Sequence, residues 1–345
     1  MREQLTRTVA RAACGLPAAV QHRLTGGPVV VDGQELHPEI AMALKLIGLA
    51  EGEPFETLPV EVGRARLVEE AAVFSGPPTP VESVQDFTFP GPESDIPVRF
   101  YKPVKATGPL PLLVYFHGGG WVFGDLDSHD STCRFLCAQA EVAVLAVDYR
   151  LAPEHPFPAA PDDALAAFHY AVKNAEELGI DPLRIAVGGD SAGGNLAAVT
   201  AQSACAAGGA RPAFQMLFVP VTDLSYKRRS YTLFSEGWFL TEAHMDWYKA
   251  RYLADPEQAH DPRVSPILAS DLSGLPPAYI ANAGFDPLRD EGVAYAQRLR
   301  EAGVPVSHRL HSGLIHPFVN TLGVGVTGRA TLLEAAGALR VGLSV

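Results

Sequence analysis

The chain has 345 residues, long enough for roughly two domains or for one large α/β unit with appendages. Its 47% apolar and 19% charged content excludes a disordered chain, and four cysteines exclude a disulfide scaffold. The net charge of −12 argues against a nucleic-acid partner or an anionic membrane surface, both of which select basic proteins.

No run of eighteen apolar residues occurs, so stable membrane insertion is not expected. Leu5, Val9, Ala12, Leu16 and Val20 recur at helical spacing, which predicts an amphipathic helix broken or kinked at Pro17. Arg11 interrupts the apolar stretch that a signal peptide needs, so the expected compartment is the cytoplasm. His37-Pro38-Glu39 starts a further helix, with Ile40, Leu44 and Ile47 on one face and Gly48 and Gly52 near its end. Another helical stretch covers about 62–74, and Gly76-Pro77-Pro78-Thr79-Pro80 is a linker. Two strands follow at 84–89 and 97–101, joined by a Pro/Gly/Ser turn.

From Leu110 strands alternate with helices. Strands are expected at 112–116, 142–147, 184–187, 214–219, 278–283 and 304–310, with helices between them and at the C-terminus. That alternation predicts a mostly parallel sheet flanked by helices on both faces. Residues 222–262 carry aromatics and charges without strand character and read as an insertion. The chain thus divides into an N-terminal helical segment with its linker (1–80) and an α/β unit (81–345) with the insertion at about 222–262. Cys133 and Cys137 lie four apart on a helix without further ligands at metal spacing, so they read as buried small hydrophobes.

The chemistry starts at Gly189-Asp190-Ser191-Ala192-Gly193, a G-x-S-x-G stretch between a strand and an Ala-rich helix. This is the context of a nucleophile elbow, where a strained turn projects the serine oxygen. Glycines there let the flanking backbones approach, and the helix N-terminus favours developing negative charge. His117-Gly118-Gly119-Gly120 follows another strand directly and matches an oxyanion loop. The N–H groups of Gly118, Gly119 and Ala192 are the expected donors, and His117 reads as a support rather than a base.

An acid and a base should follow the serine in chain order. Asp286 sits just past the 278–283 strand, whereas Asp290 falls inside the next helix and reads as a cap or ion-pair residue. Three histidines follow. His308 lies in register with Val304 and Val306 and reads as a core histidine, His311 ends that strand, and His316 lies beyond a turn at Ser312-Gly313. His316 is the expected base. The aromatics Trp121, Phe123, Trp238, Phe239 and Phe285 are candidates for a substrate pocket, together with Asp190 and Ile315.

From about residue 80 to 320 the chain resembles the hormone-sensitive-lipase-like (bacterial family IV) esterases of the α/β-hydrolase fold. The resemblance rests on HGGGWVFGD (117–125), DYRLAPEHPFPAAPDD (148–163), GGDSAGGN (188–195), WFLT (238–241), DPRVSPI (261–267), DPLRDEG (286–292) and SGLIHPF (312–318). It implies Ser191 as nucleophile, Asp286 as acid and His316 as base. It further implies a helical cap formed by the N-terminal helices and the 222–262 region, and hydrolysis of short- to medium-chain acyl esters, with a small-molecule ester as partner and no metal or organic cofactor. Dimers through the sheet edge are common in that family. Tyr149, Arg150 and Glu154, among many prolines, read as a rigid loop held by internal contacts. Pro317 departs from the pattern, which usually has a small residue such as Gly there; proline has no N–H to donate. Two other readings stay open. One is an amidase or formamidase using the same triad. The other is a non-catalytic receptor similar to the plant gibberellin receptors, against which retention of Ser191, Asp286 and His316 argues.

Overall fold

A computed structural model describes residues 2–49, 53–104 and 108–344. The N-terminal segment holds α1 (Arg2–Cys14), α2 (Ala18–Thr25), a small hairpin of β1 (Val30–Val31) and β2 (Gln34–Glu35), α3 (Pro38–Leu49) and α4 (Val60–Phe74). Then come β3 (Ser83–Pro90), β4 (Asp95–Lys102), β5 (Leu110–Phe116), α5 (Asp130–Ala140), β6 (Ala143–Val147), α6 (Ala159–Lys173) and α7 (Ala175–Leu178). The next elements are β7 (Ile180–Asp190), α8 (Ala192–Ala206) and β8 (Phe214–Phe218). An insertion carries α9 (Arg229–Leu233) and α10 (Glu242–Tyr252), and β9 (Ala278–Phe285), α11 (Arg289–Glu301), β10 (Val306–Ile315) and α12 (Thr327–Gly342) complete the chain.

Eight strands form one sheet in the order β10-β9-β8-β7-β5-β6-β4-β3. Only β4 runs against the others. The central strands β6, β8 and β9 are buried along their whole length, which a sheet covered on both faces requires. Side-chain alternation along β5 divides the core. Leu112, Val114 and Phe116 pack with α6, α8 and α11, while Leu113 and Tyr115 face α5 and α12. Cys133 and Cys137 lie in this second layer, and burial pushes the Cys137 thiol up to about 12. Among the described residues no helix is long and apolar enough to cross a membrane.

Several elements differ from the sequence expectation. The apolar face expected on the first helix is not the packed one: Val9, Ala12, Leu16 and Val20 are exposed, while Ala10 and Cys14 pack on Met42 and Val324. Small side chains there let α1 sit close to α3. The side chain of Leu5, like Gly52, lies outside the described residues, and α3 runs through Gly48. The β1–β2 hairpin is too short to leave a sequence pattern. Finally, β10 continues to Ile315, so Ser312 and Gly313 belong to an irregular strand rather than to a turn.

Candidate active site

The strands β5 and β7 end beside the start of α8, and they touch backbone to backbone. A Cβ on Gly193 would fall 1.9 Å from the Phe116 carbonyl oxygen, and one on Gly189 2.2 Å from the same atom. Only glycine fits either place. Between them Ser191 adopts φ 55° and ψ −117°, a conformation that costs a non-glycine residue about 1–3 kcal/mol. The Ser191 N–H donates to Phe218 O (2.9 Å), which locks the turn, and the side chain borders a cavity above it. Its hydroxyl has no hydrogen-bond partner among the described residues.

The loop after β5 is bent by three successive positive φ angles at Gly119 (117°), Gly120 (61°) and Trp121 (61°). Here the structure corrects the expected donors. The Gly118 N–H is occupied, donating to Asp190 Oδ1 at 3.1 Å with His129 Nε2 at 3.3 Å. The N–H groups of Gly119, Gly120 and Ala192 have no acceptor among the described residues. Asp190 is the hub of this arrangement. It also accepts from Tyr115 Oη (2.7 Å) and Asn320 Nδ2 (3.1 Å), and His129 Nε2 lies 3.3 Å from its Oδ2. Burial would raise its pKa, but His129 and these donors outweigh that and hold the carboxyl below the ordinary carboxylate range. His117 is fully buried, stacked on Tyr149 (4.3 Å, 14°), and lies outside the cavity lining. Burial, then the charge of His129, lowers its pKa to about 4, so it stays neutral.

Asp286 follows β9 and is fully buried. Its Oδ1 accepts the Leu288 N–H (2.9 Å), and its Oδ2 lies 2.8 Å from His316 Nδ1. His316 follows β10 and borders the same cavity as Ser191. Pro317 opens a 3-10 turn at Phe318–Asn320, whose Asn320 reaches Asp190. The other candidates are engaged elsewhere. Asp290 takes Arg289 Nε (2.7 Å) and the Ser230 N–H (2.9 Å). His308 Nε2 lies 3.0 Å from Asn282 Oδ1, and His311 packs edge-on against Phe318.

The α/β-hydrolase-fold family matches residues 113–320. The carboxylic ester hydrolase LipN of Mycobacterium tuberculosis is 44% identical over 95% of this chain and 89% of its own length. An ethyl acetate hydrolase of Pseudomonas putida is 40% identical over 82% of this chain and 92% of its own. Among solved structures, an ester hydrolase from the Lake Arreo metagenome, complexed with a bipyridine phosphonate derivative, superposes with a TM-score of 0.88. It is 44% identical and covers 90% of this chain and all of its own. The chain belongs to the hormone-sensitive-lipase-like α/β hydrolases. It is a carboxylic ester hydrolase.

The cavity of this hydrolase is about 150 Å³ and mostly apolar. Ser191 and His316 lie at its floor with Gly118, Gly119 and Gly120. Of the seven residues expected in the substrate pocket, Asp190, Phe239 and Ile315 border it. The other four lie outside its lining, for packing reasons. Trp121 is fully buried in a face-to-face stack on Tyr252 (4.1 Å, 4°). Phe123 packs against Phe55, Trp247, Tyr248 and the bare backbone of Gly63. Trp238 and Phe285 pack against each other at a tilt (4.9 Å, 48°) beside Phe234. Beside the expected Phe239, the wall consists of Leu240, Met245 and Tyr248 from the insertion, and of Ile40, Ile47, Leu67 and Phe74 from α3 and α4. The sequence signals for the latter are the spacing of Ile40, Leu44 and Ile47 and that of Leu67, Ala71 and Phe74, each set sharing one helix face. Tyr149, Arg150 and Glu154 make internal contacts, to His117 O, to Asp163 and to Arg64.

Sequence reasoning passed over Glu291. It is fully buried and its Oε1 accepts the N–H groups of Thr222 (2.7 Å) and Asp223 (3.3 Å). Burial, reinforced by Asp223 and Asp286, raises its pKa well above the ordinary value, against the pull of those N–H groups. A carboxyl raised in the folded state costs stability once the pH exceeds its unfolded value, because folding must then recapture a proton. Glu291→Gln keeps the acceptor and removes the titration. We expect it to raise the melting temperature at pH 8 and leave it nearly unchanged at pH 4, as read by calorimetry; a lower value at pH 8 contradicts the protonated assignment.

Proposed function

We propose that this enzyme hydrolyses small carboxylic esters through an acyl-enzyme on Ser191. The observation that carries the reading is the 2.8 Å contact of buried Asp286 with His316, in one cavity with a serine held on a strained turn. Ser191 Oγ attacks the ester carbonyl carbon while His316 Nε2 takes its proton. Asp286 holds the imidazole with Nδ1–H toward itself and stabilises the imidazolium. The carbonyl oxygen becomes an anion within reach of the Gly119, Gly120 and Ala192 N–H groups, each worth about 3 kcal/mol if aimed well. His316 then protonates the departing alcohol. Water, deprotonated by the same histidine, releases the acid. Every step uses side chains and backbone of this chain, so the reading needs no metal or organic cofactor.

The N-terminal helices and the insertion act in this reading as a cap, and the small apolar cavity they close supports short acyl chains. A cytoplasmic location fits the four free thiols, which suit a reducing compartment. A p-nitrophenyl ester series from acetate to dodecanoate tests the substrate class. We expect kcat/KM to peak at or below hexanoate and to fall at least about tenfold by dodecanoate, the loss expected when extra methylenes find no pocket. A monotonic rise with chain length overturns the size argument. Faster turnover of matched p-nitroanilides than of esters favours an amidase instead.

A further inference from the structure

The acid and the base reach their places from the ends of two neighbouring strands, and the ladder between those strands is broken just before both. His311 pairs with Ala283, and the next pair is Ile315 with Phe285. Four residue steps on β10 therefore face two on β9, immediately before His316 and Asp286. Regular sheet bonding cannot fix the separation of the two loops across such an irregularity.

The β1–β2 hairpin fills the gap. The His37 N–H, just past β2, donates to the Gly313 carbonyl in the middle of the irregularity (2.9 Å). On the β9 side, a Cβ on Gly284 would fall 2.0 Å from Ser312 O and 2.6 Å from Gln34 Oε1, so hairpin and both strand ends meet without space. Leu36 is buried in the same core cluster as Phe285, Leu314 and Ile315. The tip of the hairpin holds the charge. Asp32, itself at φ 55°, offers Oδ2 to Arg289 Nη2 (2.9 Å) and Oδ1 to Arg229 Nη2 (2.9 Å). Arg289 is nearly buried, lies across the Phe234 ring (5.1 Å) and donates to Asp290 (2.7 Å). Its own N–H closes the turn onto the Asp286 carbonyl (3.1 Å).

We infer that the hairpin positions the acid and base loops against each other, with Asp32 as a positioning residue that acts on Asp286 through Arg289. This rests on the assignment of Asp286 and His316 made above. The N-terminal segment then has a second task besides lining the cavity: it sets the spacing on which proton transfer depends. Misplacements of about 1 Å at such sites cost up to about a hundredfold in rate.

The test uses the full chain with Asp32→Ala, Asp32→Glu, Arg229→Ala and Asp286→Asn. The main readout is the rate of Ser191 phosphonylation by diethyl p-nitrophenyl phosphate, which reports activation of the serine, beside kcat and KM for p-nitrophenyl acetate. Asp32→Ala should slow phosphonylation and kcat about tenfold while KM stays within about twofold and the final stoichiometry of labelling stays complete, which also shows that the protein is folded. Asp32→Glu should recover most of the rate, and Arg229→Ala, which touches only the exposed side of the pair, should leave it unchanged. An unchanged phosphonylation rate in Asp32→Ala overturns the inference, as does a rise in KM at constant kcat, which would make the hairpin part of the cap alone. Incomplete labelling of Asp32→Ala, with no recovery in Asp32→Glu, also overturns it in favour of a purely structural role. If Asp286→Asn labels at the wild-type rate, it is the triad assignment that fails; if Asp286→Asn is slow while Asp32→Ala is not, only the positioning role fails.

Discussion

Replacing Ser191 by alanine should remove ester hydrolysis by about four to six orders of magnitude and abolish labelling by organophosphates. The size of the effect follows from the mechanism: without Oγ no acyl-enzyme forms, and only the backbone donors and substrate binding remain. The fold should hardly notice. The Ser191 hydroxyl has no partner among the described residues, and the strain of its turn is held by the Ser191 N–H to Phe218 and by the contacts of Gly189 and Gly193 with Phe116. Alanine meets the same positive φ as serine. Thermal unfolding of the variant beside the wild type should therefore show nearly equal melting temperatures with no turnover. Labelling that persists in the variant would place the nucleophile elsewhere.

His316→Asn is the second large effect, with an expected loss of about four orders of magnitude in kcat. Asparagine keeps a donor near Asp286, which matters because that carboxylate is fully buried and, among the described residues, otherwise accepts only the Leu288 N–H. Deleting the donor would add an unsatisfied buried carboxylate, a cost of about 1–3 kcal/mol or more, and would confuse stability with catalysis. His308→Asn is the matched control. Its imidazole bonds Asn282 and burial lowers its pKa, so that substitution should shift the melting temperature and spare kcat. The reverse pattern, an inactive His308 variant beside an active His316 variant, would reassign the base.

The proposed elbow and acid stand out in the sequence because Ser191 and Asp286 each follow a strand directly, and a strand end places a residue at the edge where this fold collects its chemistry; the proposed base, His316, was expected beyond a turn and instead follows β10. The donors proposed for the oxyanion loop could be named from the sequence only as a group. Which N–H groups are free depends on Asp190, seventy-two positions beyond Gly118, reaching back to occupy one of them. Four of the five aromatic candidates, all but Phe239, failed for a similar reason. Trp121 is claimed by Tyr252 and Phe123 by Gly63 and Phe55, and no local pattern marks which large side chain has a distant partner and which lines open space. The end of β10 was misread because Ser312-Gly313 has turn chemistry, while its neighbours β9 and the hairpin hold it extended. The short hairpin itself carries no periodicity at all, and it falls in a stretch that reads as part of a helical segment.

The contact between Gly120 and Tyr248 divides the cavity wall into two kinds of surface. A Cβ on Gly120 would lie 2.3 Å from the Tyr248 ring, and that ring is wedged among Phe55, Phe123 and Trp247. Any change of shape at Tyr248 is therefore transmitted to the loop proposed to receive the oxyanion, and on that reading selection for a larger substrate there would be opposed by loss of rate. Leu67 and Phe74 border the same space from α4, which also touches the loop through Gly63 against Phe123 and Arg64 Nε to Val122 O (2.9 Å), whereas Ile40 and Ile47 border it from α3, which makes no hydrogen bond to the loop among the described residues. Diversification toward bulkier esters is free to proceed on the α3 side, which makes α3 the place to begin a directed-evolution library and Tyr248 the position to leave alone.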